Sequence, residues 1–349
     1  MTEYSTNNTD FPSGILVLYK PKGESSRATL NRLQRAVRWH HVRHACQCTK
    51  PPRVGHAGTL DPLAEGVLVA CVGEATKLIE VIQMLPKCYT GTFQLGVTSD
   101  TEDADGTIVS LTNPPQPTRA ALQEAVSRFA GRIRQRPPVY SALKIAGKRA
   151  YQLARQGDHV ELATREIEVY QINLVAYSYP IFRFKIECGS GTYVRSIGRD
   201  IGEVVGSGAI MTALTRENIG PFTLADALPP EVFDDTESEV WLEHLLPLEC
   251  GVSNLPRLVL DAKTIVRLLN GQAVRRDEII AQQRTLDSFL LNGTHLFAAF
   301  SPQNQLVSLL ELIDDKYVKI KKNFAVSPTR LADNPRDTEN VSFNFKKNE

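Results

Sequence analysis

One carboxylate stands out by its setting. Asp61 lies in the run Gly55-His-Ala-Gly-Thr-Leu-Asp61-Pro-Leu-Ala-Glu-Gly-Val-Leu68, punctuated by Gly55, Gly58 and Gly66 and stiffened by Pro62. Glycine permits sharp backbone turns and close approach to a ligand, and proline fixes its own φ, so such a loop holds an acid in one pose. From Ser25 to Leu60 the chain has no Asp or Glu, yet carries Arg27, Arg32, Arg35, Arg38, Arg43, Lys50 and Arg53. An acid at the end of a cationic stretch suits chemistry on a polyanion. The plainer reading is that Asp61-Pro62 starts a helix, with Asp at the N-cap and Pro at the first helical position.

Four further clusters accompany this loop: Lys87-Cys-Tyr89, Ser99-Asp-Thr-Glu-Asp103-Ala-Asp105-Gly106, Tyr140-Ser-Ala-Leu-Lys144 and Gly189-Ser-Gly-Thr-Tyr193-Val-Arg195-Ser196. Singly, each has an ordinary explanation. Tyr89 and Tyr193 read as core or cross-strand aromatics, Arg195 as a structural ion pair and His56 as a loop histidine. The acids from Asp100 to Asp105 form an acidic turn without the spacing or terminal Glu of an EF-hand.

The elements that must position these residues follow from periodicity. Strands are expected at 14–19, 67–72, 87–97, 167–175 and 182–188, and helices from Ser25 or Ser26 to about Trp39, over 118–129 and over 194–205. Past a composition shift near 242–253, the apolar Leu258-Val-Leu260, a helix at 262–270 and short strands at 294–301 and 305–312 suggest a compact β-rich appendage. The fold class is α+β, a mixed, largely antiparallel sheet flanked by helices. Polar segments 1–11 and 327–349 read as disordered, leaving domains at 12–250 and 251–326.

With Lys20-Pro21-x-Gly23-x-Ser25-Ser26 in front, Gly73-Glu-Ala-Thr-Lys77 closing the signature loop, and Leu214-x-Arg216-x-x-x-Gly220-x-Phe222 behind, the order and separation of the motifs resemble TruB-type tRNA pseudouridine synthases over about residues 14–230. The C-terminal piece resembles the small PUA-like RNA-binding module of that family. The resemblance implies isomerisation of uridine to pseudouridine in the tRNA T loop, position 55 in standard tRNA numbering. It implies Asp61 as catalytic aspartate, Tyr89 as base-stacking tyrosine, Arg195 as the arginine holding Asp61, and Asp103 as the acid pairing with that arginine. His56, Tyr193 and Leu214 match substrate-contacting positions, and Lys20 and Lys77 match structural or phosphate-facing ones. Ala57 departs from a common Thr, and Glu65 from a usually small residue. Neither touches the acid, so tuning rather than loss is expected.

These residue types suit the chemistry. Pseudouridylation breaks the N1–C1′ bond, turns the uracil and rejoins it through C5. A carboxylate can act as nucleophile or as base, and a guanidinium keeps it ionised and oriented. The base must leave its stack, and aromatic faces worth about 1–3 kcal/mol per base can receive it. An isomerisation needs no cofactor and no metal. A glycosidase using Asp61 and Asp103 as its pair explains the acids but not the basic stretch. An RNA-binding or RNA-folding module explains the basic stretch but not the complete acid, arginine and tyrosine set, and a synthase acting on another RNA stays open.

His40-His-Val-Arg43-His44-Ala-Cys46-Gln-Cys48-Thr-Lys50-Pro-Pro52 reads as an insertion of about a dozen residues. Zinc ligation by its His and Cys is one reading, but C-x-C fits the usual spacing poorly and no second pair follows. A basic RNA-facing loop fits its place ahead of the signature, a plain surface loop is the third reading, and no metal is assigned. With 349 residues, 42% of them hydrophobic, and a net charge of +1, the chain can bury ordinary cores. It lacks both the ~18 consecutive apolar residues of a membrane span and a signal-peptide core. Six scattered cysteines suit a reducing compartment. A cytoplasmic monomer acting on tRNA, away from membranes, is expected.

Overall fold

The computed structural model describes residues 12–44, 50–141, 144–145, 148–150, 162–235, 238–282, 295–313 and 316–324. The segment 1–11, the tail 327–349, and Cys46 and Cys48 of the insertion lie outside the described residues. The chain forms two compact units. One comprises Leu16–Val72 and Ile79–Leu245; the other comprises Ser13–Ile15, Gly73–Leu78 and the chain from Leu246 on.

In the first unit, strands β1 (Gly14–Lys20), β2 (Val54–His56), β3 (Ala64–Val72), β4 (Lys87–Leu95), β7 (Gly131–Gln135), β10 (Arg165–Ser178), β11 (Ile181–Cys188), β12 (Ala209–Ile219) and β13 (Phe222–Thr223) build one sheet. Its order is β1-β3-β12-β4-β11-β10-β7, with β2 on β3 and β13 on β12. The short pairs β5 (Val97–Ser99) with β6 (Ile108–Ser110), and β8 (Lys144–Ile145) with β9 (Lys148–Arg149), stand apart. The β4–β12, β4–β11 and β10–β11 pairings are antiparallel, while β3–β12 is parallel. The sheet is therefore mixed and mainly antiparallel, as its alternating strands require.

Helices cover it. Helix α1 (Ser26–Arg43) is capped by Ser25, whose hydroxyl accepts from the Ala28 N–H. Its Leu30, Leu33 and Val37 pack with Leu16, Leu68, Phe233 and Trp241. Helix α2 (Ile79–Met84) follows. Helices α3 (Arg119–Ser127) and α4 (Val194–Val204) bury Leu122, Val126, Ile197 and Ile201 against the sheet. There Phe93 stacks on Phe184 and Phe182, with centroids 4.6 and 5.3 Å apart. Helix α1 runs one turn past the expected Trp39, so His40, His41 and Arg43 of the insertion are helical.

The second unit carries a five-stranded sheet in the order β14 (Arg257–Val259), β16 (Leu296–Phe300), β17 (Leu306–Ile313), β18 (Tyr317–Asn323), β15 (Val274–Arg275). Helices α5 (Ala262–Leu269) and α6 (Arg276–Gln282) complete it. Leu258, Ile265, Leu268, Phe297, Leu310 and Val318 form its core. Among the described residues no helix is long and apolar enough to cross a membrane.

Candidate active site

The Asp61 loop links β2 to β3, and no helix begins at Pro62: a turn closed by Ala64 N–H on the Asp61 carbonyl, 3.1 Å, leads straight into β3. The helix-start reading of Asp61-Pro62 is thereby displaced, because parallel pairing with β12 draws residues 64–66 into the sheet. Side chains hold the loop from several sides. Buried Ser26 donates to the Leu60 carbonyl (2.9 Å) and accepts from the Leu60 N–H (2.8 Å). Lys20, fully buried, donates to the carbonyls of Pro21 and Pro62, both at 3.1 Å, and to that of Ala64. Burial lowers its pKa to about 8, against the upward pull of Asp61 and Glu24. Buried Arg216 of β12 donates from Nε to the Val67 carbonyl (2.7 Å) and from Nη2 to the Gly58 carbonyl (2.9 Å).

Glycine is required at one point of this frame. Gly66 has φ +108°, and a Cβ there would lie 2.3 Å from the Arg216 carbonyl oxygen and 2.9 Å from its nitrogen. The unusual Glu65 is absorbed at the edge of the loop, accepting from the Tyr19 hydroxyl (3.0 Å) and the Thr215 hydroxyl (3.2 Å).

Arg195, in the first turn of α4, joins the acids. Its Nη2 lies 3.1 Å from Asp61 Oδ2 and its Nη1 3.1 Å from Asp103 Oδ2. The guanidinium also donates to the carbonyls of Tyr140 (2.7 Å) and Thr101 (3.2 Å). Asp103 Oδ1 accepts from the Thr101 hydroxyl (2.5 Å) and the Asp105 N–H (3.1 Å). The side chains of Arg195 and Asp103 are 6% and 5% exposed, whereas that of Asp61 is 41% exposed. A buried arginine, bonded through both terminal nitrogens, and a buried acid thus hold the more exposed Asp61 carboxylate in a fixed pose, the use to which a forked guanidinium is best suited.

This carboxylate faces a cavity of about 830 Å³, whose lining also includes Arg27, His56, Tyr89, Asp103, Tyr140, Tyr193, Arg195, Met211 and Leu214. Tyr89 stands on β4 opposite Arg216 of β12. Burial raises its hydroxyl pKa, while Arg216 pulls the other way. Tyr193 precedes α4, and its backbone N–H and carbonyl are both bonded at 2.9 Å by the buried Gln135 amide. The Arg165 guanidinium lies over its ring at 4.8 Å. His56 is kept neutral to lower pH than usual, by burial first and Arg216 second.

The structure therefore brings Asp61, Tyr89, Asp103, Arg195, His56, Tyr193 and Leu214 to one cavity. Lys20 lies beneath the loop as its anchor. Lys77 belongs to the other unit, where it pairs with Glu74 (2.5 Å) and donates to the Asn323 carbonyl (2.8 Å). Sequence reasoning gave no role to Arg216 or Gln135, and it read Ser26 as a candidate helix cap, whereas Ser25 caps α1 and Ser26 holds Leu60. Arg216 had a signal: it stands in the Leu214-x-Arg216 motif, although the strand carrying it was not anticipated.

Residues 44–194 match the family model for the TruB family pseudouridylate synthase N-terminal domain. The tRNA pseudouridine synthase B of Xanthomonas campestris is 40% identical over 265 residues, covering 75% of this chain and 82% of its own. That of Shouchella clausii is 37% identical over 281 residues, covering 79% and 89%. The chain belongs to the TruB family of pseudouridine synthases. Members of this family are isomerases. A solved Cbf5–Nop10–Gar1 complex contains a chain of the same fold, with TM-score 0.65 and 20% identity, covering 89% of this chain and 85% of that one. A chain of the archaeal box H/ACA sRNP Nop10–Cbf5 complex agrees with TM-score 0.62 and 19% identity, covering 95% and 89%.

Proposed function

We propose that this enzyme isomerises uridine to pseudouridine at position 55 in the T loop of tRNA. The observation that carries the reading is Asp61, with one oxygen on buried Arg195, at the floor of a cavity sized for a flipped nucleotide and flanked by Tyr89 and Tyr193. With Oδ2 engaged by Arg195, Oδ1 addresses the ribosyl group, either attacking C1′ or taking a proton from the sugar. The N1–C1′ bond breaks, the uracil turns between aromatic faces, and a C5–C1′ bond forms. The C5 proton leaves and N1 gains one, so the reaction is redox-neutral and balanced without a cofactor.

Substrate roles divide as follows. Tyr89 stacks on the flipped base, Tyr193 and Leu214 close its pocket, and His56 contacts the nucleotide or its loop. Arg27 at the rim faces the backbone phosphates. Lys20 fixes the catalytic loop, and Lys77 faces phosphate or stabilises its own unit. RNA reading of this kind works through loop shape and splayed bases. The catalytic domain comprises 12–250 and a PUA-like RNA-binding domain 251–326, in a monomeric cytoplasmic protein.

The test is tritium release from [5-³H]uridine-labelled tRNA transcript, wild type beside Asp61→Asn, with the modified position mapped. Release by wild type alone at the T-loop uridine, with affinity for tRNA within a few-fold in the variant, is expected. Release by Asp61→Asn at the wild-type rate refutes the role of Asp61. Release at another position refutes the substrate, and binding without release by either protein favours an RNA-folding role.

A further inference from the structure

His40 lies in the last turn of α1 and His44 is its C-cap residue, four positions on, which brings the two side chains to the same side. Their ring centroids lie 4.3 Å apart. Both rings direct a nitrogen at the same carboxylate oxygen: His40 Nδ1 lies 2.8 Å from Glu239 Oε1, and His44 Nε2 2.6 Å from it. The three donor groups fall within 4.8 Å of one another, although Glu239 is far along the chain, just before the short helix Val240–His244.

Packing fixes both backbones. Trp241, the second residue of that short helix, is buried with Leu33 and Val37 of α1, and it meets the His40 ring edge-on at 6.0 Å. An ion pair between Arg32 and Asp234, 3.1 Å, ties the same two segments a few residues away. The cluster is thus assembled by the fold rather than by chance contact of mobile side chains. None of its members lines the catalytic cavity.

We propose that His40, His44 and Glu239 form a binding site for a divalent zinc-class cation, with water in the fourth position. Two imidazole nitrogens and one carboxylate oxygen are a donor set that zinc accepts, and borderline cations of this kind favour imidazole over all-oxygen sites. Two ring nitrogens and a carboxylate oxygen converge on one point, as ligand atoms do around a shared ion. Zinc bonds of about 2.0–2.2 Å in a tetrahedron separate neighbouring ligand atoms by about 3.3 Å. The two nitrogen–oxygen spacings of 2.8 and 2.6 Å therefore need to open by about 0.5 and 0.7 Å, and His44, with 48% of its side chain exposed, has room to do so. The C-terminal end of a helix, with its partial negative charge, favours a cation there. The ion would clamp the end of α1 to the segment at Glu239, a structural role separate from the chemistry at Asp61.

The experiment uses the full-length protein stripped with chelator and titrated with Zn²⁺ by calorimetry, and with Co²⁺ by visible absorption. Wild type, Glu239→Gln and His44→Ala are compared, and pseudouridine formation serves as a control for folding. Expected are one ion per chain at this site, visible Co²⁺ bands typical of low coordination, a rise in wild-type Tm on zinc addition, and at least tenfold weaker binding with no Tm rise in both variants. Absence of stoichiometric binding to wild type means an ion pair only and overturns the proposal. Binding in both variants equal to wild type puts the ion elsewhere and overturns it equally.

Discussion

Asp103→Asn is the most exacting perturbation of the candidate active site, because it keeps shape and removes only one charge. Asp103 Oδ1 accepts two hydrogen bonds, from the Thr101 hydroxyl and the Asp105 N–H, and Oδ2 accepts one from Arg195. An asparagine has a single acceptor atom. If its oxygen takes the Oδ1 place, the amide N–H₂ confronts the guanidinium of Arg195; if it is flipped, the N–H₂ confronts the Asp105 N–H. Either way one buried donor is opposed by another. Breaking a buried ion pair costs about 3–5 kcal/mol, and a hydrogen bond to a charged group is worth about 1.5–3 kcal/mol. Arg195 keeps its partner Asp61, so a loss of about 3 kcal/mol of stability is expected. Arg195 then shifts toward Asp61 and carries the carboxylate off its line. A displacement of about 1 Å costs roughly 10²-fold in rate, equivalent to about 2.7 kcal/mol of barrier at 1.36 kcal/mol per decade. Single-turnover tritium release on the folded fraction, beside denaturant unfolding, reads both quantities. A variant with wild-type midpoint and wild-type turnover refutes the positioning role assigned to the Asp103–Arg195 pair.

Arg216→Met leaves the carbonyls of Gly58 and Val67 without their donor, at about 1–3 kcal/mol each. It is expected to lower turnover more than tenfold while tRNA affinity in filter binding stays near wild type; a matching loss of affinity contradicts this. Gly66→Ala meets both a positive φ, costing about 1–2 kcal/mol, and the Arg216 backbone. Its Tm should fall well beyond the strain alone, and an unchanged Tm refutes the close approach of β3 and β12. His56, whose pKa lies below the usual 6.5 chiefly through burial, stays neutral in the folded chain where the unfolded chain takes up a proton. Stability should therefore decline as pH falls from 6.5 toward the lowered value, and His56→Gln should flatten that slope. Equal slopes in thermal scans at pH 7.5 and 5.5 count against a buried neutral histidine.

The motifs that the structure gathers at the candidate site were legible in the sequence by residue type and order. An acid among glycines, an arginine after Gly-Thr-Tyr-Val and a tyrosine in an alternating strand were read by type and order, as were the amphipathic helices. The expectation that Asp61-Pro62 starts a helix had sound local grounds, since those residues do cap helices. It failed because parallel pairing with β12, a long-range contact, fixes the conformation of residues 64–66. Strand β12 went unread because its run of Thr, Arg, Glu and Asn lacks a clean alternation; burial by β3 and β4 on its two edges sustains it instead of pattern. Glu239 illustrates the same limit, as its convergence with His40 and His44 bridges 199 and 195 positions. By itself, then, the sequence determined which residues could act and which elements would form locally, through side-chain chemistry and short-range periodicity. Only the tertiary structure decided which acid is exposed and which is buried, that Arg216 and Lys20 brace the loop, and where distant groups meet, because those outcomes depend on non-local packing and desolvation.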